Sequence, residues 1–486
     1  MAVPDDDGSW RSWGRTRVHS LLFSLSLVAP SLACRPGEAE RPAENATSGF
    51  DLAPGVARNL ILISIDTLRA DHLGCYGYGR ETSPALDALA KRGALFEQDI
   101  SSSSWTVPAH MSMLTGLYPR SHGVDSGAKL LAPETITLAQ HLSRLGFVTG
   151  AIVNTGLLRK HDFPRGFARY KLIAPAGKSW GASRNADSCS APKILESAGE
   201  WMRANSRQRF FLFLHIYDVH ADYSPLPEYL ALFERPYSGP ANGTTTQLQE
   251  YMLRPPGGEE WGSQEALRLI DLYDAEIRQL DDALARFFAS LEELGVANET
   301  LLIVTSDHGE EFLDHGDVLH GQTLHTEVVH VPLILVGPGV PRGARFRGQV
   351  SPVDLFPTST ALLGLSALDG LEGLDLSSAW RAPSAWPAER ALYSETRSWS
   401  GSPEGSLRGM IQRGPYALHY DRLSGKQQLF WHEDDPRELT DIAERDPQRV
   451  QALWRELEAF LAGAQELEDS PMTEDELKEL QALGYR

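Results

Sequence analysis

The stretch Asn59-Leu60-Ile61-Leu62-Ile63-Ser64-Ile65-Asp66-Thr67 decides the fold. Asn59 to Ile65 is short, mostly apolar and not alternating. That is the pattern of a strand covered on both faces. Asp66 follows the strand at once. In open α/β sheets, ligands gather at the carboxyl ends of strands, and a carboxylate there is a natural ligand for a hard cation. Taken alone, such an Asp equally well caps the next helix.

Working outward, Phe147–Val153, Phe210–Ile216, Leu301–Thr305 and Val331–Val336 read as further buried strands, and Ala94–Phe96 begins another. Between them Pro84–Arg92, Pro108–Leu114 and Leu138–Leu145 have helical spacing, and Pro108 sits near a first turn, where Pro is tolerated. Strands alternating with helices predict an α/β fold with a largely parallel central sheet flanked by helices. Tyr237–Gln264 is polar, with Gly and Pro, and reads as an insertion near the site. Past residue 385 the pattern changes. Leu407–Tyr420 and Gln427–Trp431 read as antiparallel strands, and Val450–Ala462 as an amphipathic helix. The expected organisation is a leader (1–33), a tether (34–56), a catalytic domain (57–385) and a small C-terminal α+β subdomain (386–486).

The 486 residues carry a formal net charge of -20. This excludes a general nucleic-acid binder, which needs a basic stripe. Three cysteines, Cys34, Cys75 and Cys189, are too few for a disulfide framework; Cys75 and Cys189 either pair or stay free. Arg11, Arg15 and Arg17 precede an apolar run, Leu21–Ala33. The run is short for a membrane span, which needs about 20 residues, and fits an export signal. Ser31-Leu32-Ala33-Cys34 resembles a bacterial lipobox, with Ser31 where Leu is usual. Lipidation of Cys34 and plain cleavage after Ala33 both remain open. The expectation is an exported bacterial protein, periplasmic or anchored to the outer membrane, whose membrane contact runs only through that lipid.

Two more segments carry chemistry. Thr305-Ser306-Asp307-His308-Gly309-Glu310-Glu311 follows a strand, and Asp307 with His308 offers oxygen and nitrogen ligands side by side. Such a mixed set suits Zn or Mn better than Mg; Ca and Mg stay open. Trp105-Thr106-Val107-Pro108-Ala109-His110 places a hydroxyl at a helix start, among free N–H groups and the positive end of the dipole. Metal coordination there would make Thr106 a usable nucleophile; without it, Thr106 reads as a simple cap.

Together these segments resemble the sulfatase family of the alkaline-phosphatase superfamily. Ile63-Ser64-Ile65-Asp66-Thr67 is similar to its first metal-binding strand end. Thr106 through Thr115-Gly116 is similar to its nucleophile signature, and Asp307-His308-Gly309 to its later metal motif. Tyr118-Pro119, His122-Gly123, Val353-Asp354-Leu355-Phe356-Pro357-Thr358 and the ending Leu480–Tyr485 extend the likeness over residues 57–486. The resemblance implies one divalent metal and a small-molecule, glycan or lipid-headgroup ester as substrate.

The departures from the family matter more. A sulfatase makes its nucleophile from Cys or Ser, and Thr106 cannot be converted to that aldehyde. His110 replaces the signature Arg, and Thr67 replaces a second acidic ligand. Asn154 and Gln322 stand where sulfatases place substrate-binding Lys. A Thr nucleophile is what phosphoethanolamine transferases, lipoteichoic-acid synthases and nucleotide pyrophosphatase/phosphodiesterases use. Asp66, Thr106, Asp307 and His308 resemble their metal set, and His220 and His320 the two substrate-facing His of the phosphoethanolamine transferases. His110 either orients Thr106 or bonds the helix start. The expected activity is a hydrolase or transferase acting on phosphate or sulfate esters through a covalent Thr106 intermediate, phosphate favoured. An arylsulfatase-type enzyme without formylglycine and a non-catalytic anion-binding lipoprotein are the alternatives. Cys75 reads as packing, His315 as a solvent residue, and Arg69, Asp71 and Tyr78 as candidates to line the pocket.

Overall fold

The computed structural model describes residues 54–463, except 126–128, 160–161, 174–190, 256–257, 259, 367, 388 and 398–406. The leader, Cys34, Cys189, most of the tether and the ending Leu480–Tyr485 lie outside the described residues.

The strands in chain order are β1 (Asn59–Ile65), β2 (Ala94–Ile100), β3 (Val148–Val153), β4 (Arg169–Leu172), β5 (Phe210–Ile216), β6 (Thr300–Thr305), β7 (Glu311–Phe312), β8 (Val318–Leu319), β9 (His330–Val336), β10 (Ala344–Val350), β11 (Ala391–Arg397), β12 (Leu407–Arg413), β13 (Tyr416–Asp421) and β14 (Gln427–Trp431). Eight of them form the central sheet, in the order β10-β2-β9-β6-β1-β5-β3-β4. It is mostly parallel; β9 alone runs against both its neighbours. The sheet continues the pattern read from β1: every residue of β1, β5 and β6 is buried. Ile61, Ile63 and Ile65 enter one apolar core, and Leu60 and Leu62 enter the other, as a pleat of period two requires.

Helix α1 (Pro84–Arg92) and two longer helices, Ala191–Asn205 and Ser263–Glu293, cover the Ile61 face. The 31-residue helix Ser263–Glu293 begins at the end of the stretch read as an insertion. It buries Leu269, Leu272, Tyr273, Ile277, Leu280, Leu284 and Phe287 at helical spacing. The insertion is not all loop, since Thr245–Met252 is a helix that buries Leu248 and Tyr251. Helix α2 (Thr106–Thr115), with Leu138–Arg144 and Leu355–Leu362, covers the Leu60 face.

β11 to β14 form a separate antiparallel meander. Ile411, Leu418 and Leu429 pack on the helix Pro447–Ala462 through Leu453 and Leu457. Met410 and Ala417, one residue out of phase, face the larger part of the chain through Ile100, Leu324 and Val329. Among the described residues no helix is long and apolar enough to cross a membrane.

Candidate metal and nucleophile site

Four neighbouring parallel strands, β6-β1-β5-β3, deliver polar groups from their carboxyl ends. Asp307 and His308 follow β6, Asp66 follows β1, His215 lies at the end of β5, and Asn154 follows β3. Thr106 arrives from the β2 side as the first residue of α2. All six are buried.

His308 lies at the centre. Its Nδ1 donates to the Gly309 carbonyl at 3.0 Å, which fixes the tautomer and leaves Nε2 as the lone-pair nitrogen. Nε2 faces Thr106 Oγ1 at 3.2 Å, Asp307 Oδ2 at 3.3 Å and Asp66 Oδ1 at 3.8 Å. Asp307 Oδ2 is buried and makes no hydrogen bond, while Oδ1 accepts from the Thr67 N–H at 3.3 Å. A buried carboxylate oxygen left in this state is costly unless a cation joins it. Donor atoms of Asp66, Asp307 and His308 lie within 4.8 Å of one another. The residues present therefore fit a divalent metal.

His215 was not among the residues singled out from sequence. Its Nδ1 meets Asn154 Oδ1 at 3.2 Å, and its Nε2 stands 3.2 Å from Asp66 Oδ2 without making a hydrogen bond. Burial lowers its pKa to about 4, so it is a neutral donor at the edge of the same cluster. The signal was present: His215 is the one polar residue in Phe-Phe-Leu-Phe-Leu-His-Ile, on the strand beside β1.

The other residues named from sequence fall in several places. Thr67, where a second acidic ligand was missing, has φ 56° and turns its hydroxyl to the Val219 carbonyl. His110 ties the start of its helix to β1, with Nδ1 also 3.5 Å from Asp307 Oδ2. Nδ1 meets the Thr106 carbonyl at 2.8 Å and Nε2 meets Ser64 Oγ at 2.9 Å, and burial lowers its pKa to about 4. His220 stacks on Tyr217 and lies 4.9 Å, ring to ring, from His320. The His320 ring is 4.3 Å from that of His308, so His320 lies against the cluster, with His220 beyond it and its ring nitrogens on Tyr217 OH and the Ala221 carbonyl. Gln322, half-buried, follows two residues after His320. Arg69 is bound to Asp71, Asp314 and the Glu310 carbonyl, and Tyr78 to Asp274. Cys75 is half-buried against the core. His315 pairs with Glu327 at 2.6 Å and is not a solvent residue.

Glu310 was also missed. It is buried, accepts from Tyr223 at 2.8 Å, and its Oε1 lies 2.8 Å from His320 Nδ1. Burial raises the carboxyl to about 8 and lowers His320 to about 4. Both shifts favour an electrically neutral pair.

A strand-end cluster of candidate metal ligands facing a helix-start hydroxyl, on a mostly parallel sheet followed in the chain by a small antiparallel one, accords with an ester hydrolase of the alkaline-phosphatase superfamily. The sulfatase family profile matches residues 58–365, and the chain belongs to that family. It is 22% identical to arylsulfatase K of Xenopus laevis over 471 residues, covering 86% of this chain and 85% of that protein. It is 24% identical over 381 residues to the multifunctional alkaline phosphatase superfamily protein PehA of Trinickia caryophylli, covering 63% of this chain and 74% of that one. The crystal structure of the phosphonate monoester hydrolase of Agrobacterium radiobacter superposes with a TM-score of 0.69 at 21% identity, covering 84% of this chain and 96% of that one. At that identity the likeness establishes the fold.

Proposed function

We propose that this chain is a metal-dependent hydrolase or transferase of phosphorus esters, acting through unmodified Thr106. The observation that carries the reading is Thr106 Oγ1 at the first position of α2, 3.2 Å from the His308 nitrogen that also faces Asp66 and Asp307. A divalent cation held by Asp66, Thr106, Asp307 and His308 would lower the pKa of the Thr106 hydroxyl and offset charge developing on the transferring group. The mixed oxygen and imidazole set favours Zn or Mn. Thr106, its proton released to solvent, attacks phosphorus in line; the bond from its oxygen to phosphorus forms as the bond to the leaving oxygen breaks. His320, protonated at Nε2 through its pairing with Glu310, gives that proton to the leaving oxygen. Water or an acceptor alcohol, giving its proton back to His320, then attacks the phosphorus of phospho-Thr106; the bond from phosphorus to the Thr106 oxygen breaks and that oxygen regains a proton from solvent. In this reading His220 and Gln322 meet the transferring group, supported by the ring contact of His220 with His320 at 4.9 Å. Asn154 and His110 act by positioning, through His215 and the start of α2.

Named activities of the relatives support both chemistries, since arylsulfatase K stands beside a phosphonate monoester hydrolase. Thr at position 106 and the absence of Lys at Asn154 and Gln322 favour phosphorus. The test is a panel of chromogenic phosphodiester, phosphonate monoester, phosphate monoester and sulfate esters, each with Zn, Mn, Mg and Ca. Phosphorus esters should turn over faster than sulfates of the same leaving group; the reverse order would establish the sulfuric ester reading. Export and lipidation at Cys34 belong to the same proposal, supported by the apolar run Leu21–Ala33. An unmodified Cys34 in the mass spectrum of the mature chain would remove the lipid anchor.

A further inference from the structure

A second cluster lies where the antiparallel sheet meets the loop that carries His320. Glu438 is at its centre, with a side chain 1% exposed. Oε2 accepts from His325 Nδ1 at 2.8 Å and from the Thr326 N–H at 3.3 Å. Oε1 meets His419 Nε2 at 3.2 Å and His432 Nε2 at 2.8 Å. Among the described residues, the ion pairs of Glu438 are all with imidazoles and none is with Lys or Arg. A carboxylate this buried needs a positive partner. The choice is between a proton on one of the imidazoles and a cation among them.

The two structural parts contribute unequally. His325 comes from the loop after β8, five residues beyond His320. His419 is on β13, on the face that presents Ala417 to Leu324 and Val329. The Gln412 side-chain amide lies 3.3 Å from His432 Nδ1; by donating there it fixes His432 as an Nε2–H donor to Glu438. His432 therefore orients the carboxylate in the way that outer groups orient metal ligands. His315 stacks on His325 at 3.7 Å with planes 9° apart, so the two rings cannot aim lone pairs at one ion. That leaves His325, His419 and Glu438, which present donor atoms within 4.8 Å of one another. Two His and one Glu form a common zinc set. The two imidazole side chains are 13% and 11% exposed, which gives an ion a route in.

We propose that His325, His419 and Glu438 form a second divalent-cation site, of zinc type, separate from the Asp66–Asp307–His308 cluster. An ion there fastens the His320 loop to the antiparallel sheet. Its role is structural, and it does not depend on which ester the enzyme cleaves.

The full chain is stripped with chelator, re-equilibrated with Zn and assayed for metal per chain. His325→Ala/His419→Ala should hold one equivalent less than wild type, and Asp307→Ala a different equivalent, so that the losses add in the combined variant. In the Asp307→Ala background, added Zn should raise the Tm; the further change Glu438→Gln, which keeps the size and removes the charge, should weaken that response at least tenfold in Zn concentration. Glu438→Gln and His419→Gln serve if the double Ala variant does not fold, as judged by circular dichroism. Equal metal content in wild type and all these variants, or a Zn-independent Tm in Asp307→Ala, would overturn the site and leave a hydrogen-bonded clamp.

Discussion

Glu310 Oε1 lies 2.8 Å from His320 Nδ1, and burial pushes both groups towards their neutral forms. In the proposed mechanism this pair keeps a proton on the other nitrogen of His320, and that proton passes to the leaving oxygen. His320→Ala should slow esters with alkyl leaving groups by about 100-fold or more, and 4-nitrophenyl esters much less, because nitrophenolate leaves without a proton. Glu310→Ala should show the same dependence on the leaving group, and the double variant should be little worse than His320→Ala. Losses that add, or that ignore the leaving group, would separate Glu310 from the chemistry.

Asp307 Oδ2 is buried without a hydrogen bond. Metal removal should therefore lower the Tm of the wild-type protein. Asp307→Ala and His308→Ala should each lose bound metal and turnover together while remaining folded. In metal-free protein, Asp307→Asn should be more stable than wild type, because a neutral amide replaces a buried charge. Full metal occupancy in Asp307→Ala would refute the assignment.

His215 Nε2 stands 3.2 Å from Asp66 Oδ2, so its loss should be felt through the metal. His215→Ala should weaken metal affinity by about 10- to 100-fold, the range seen for groups that orient or complete a site. Turnover at saturating metal should recover most of its wild-type value. A kcat defect that excess Zn or Mn does not relieve would place His215 outside the metal set.

The Asp354 carboxylate, buried in the segment Val353–Thr358, is clamped by Arg390 through two bonds of 2.6 and 2.7 Å, and also accepts from the Ser351 and Leu374 N–H groups. Arg390→Ala leaves that charge uncompensated. It should cost about 3–5 kcal/mol, measurable by urea unfolding, and Arg390→Ala/Asp354→Asn should recover part of the loss. A change within about 0.5 kcal/mol, as for an ordinary surface substitution, would contradict the clamp.

Much of this arrangement could be read locally. β1, β5 and β6 announce themselves as mostly apolar, non-alternating runs because both faces are covered, and Asp66, Asp307 and His308 follow them, as Thr106 follows β2, in short motifs. The helix Ser263–Glu293 also carries its stripe in full, though its polar start merges with the loop before it. Other features depend on strand order, which no short pattern encodes. His215 matters because β5 pairs with β1, and Glu310 because β8 turns His320 back onto it. His325, His419 and Glu438 are widely spaced in sequence, and only the docking of the antiparallel sheet brings them together. His110 had two readings from sequence, and its bonds to the Thr106 carbonyl and Ser64 favour the helix start.

The proposed chemistry turns on Thr106. Its hydroxyl sits at the first position of α2, where unpaired N–H groups and the helix dipole favour negative charge, and it is 3.2 Å from His308 Nε2. Thr106→Ala should lower turnover by on the order of a thousandfold or more while sparing much of substrate binding. Thr106→Ser should keep partial activity, because the hydroxyl survives and one methyl is lost. Thr106→Cys, in a host that makes formylglycine, tests the other chemistry. Asn154 points its amide at His215 and supplies no cation for a sulfate, so little sulfatase activity should appear. A slow phosphodiester, quenched during turnover and mapped by mass spectrometry, should leave its phosphoryl group on Thr106. An adduct on any other residue, or turnover near wild type in Thr106→Ala, would end this mechanism and return the site to metal-assisted attack by water.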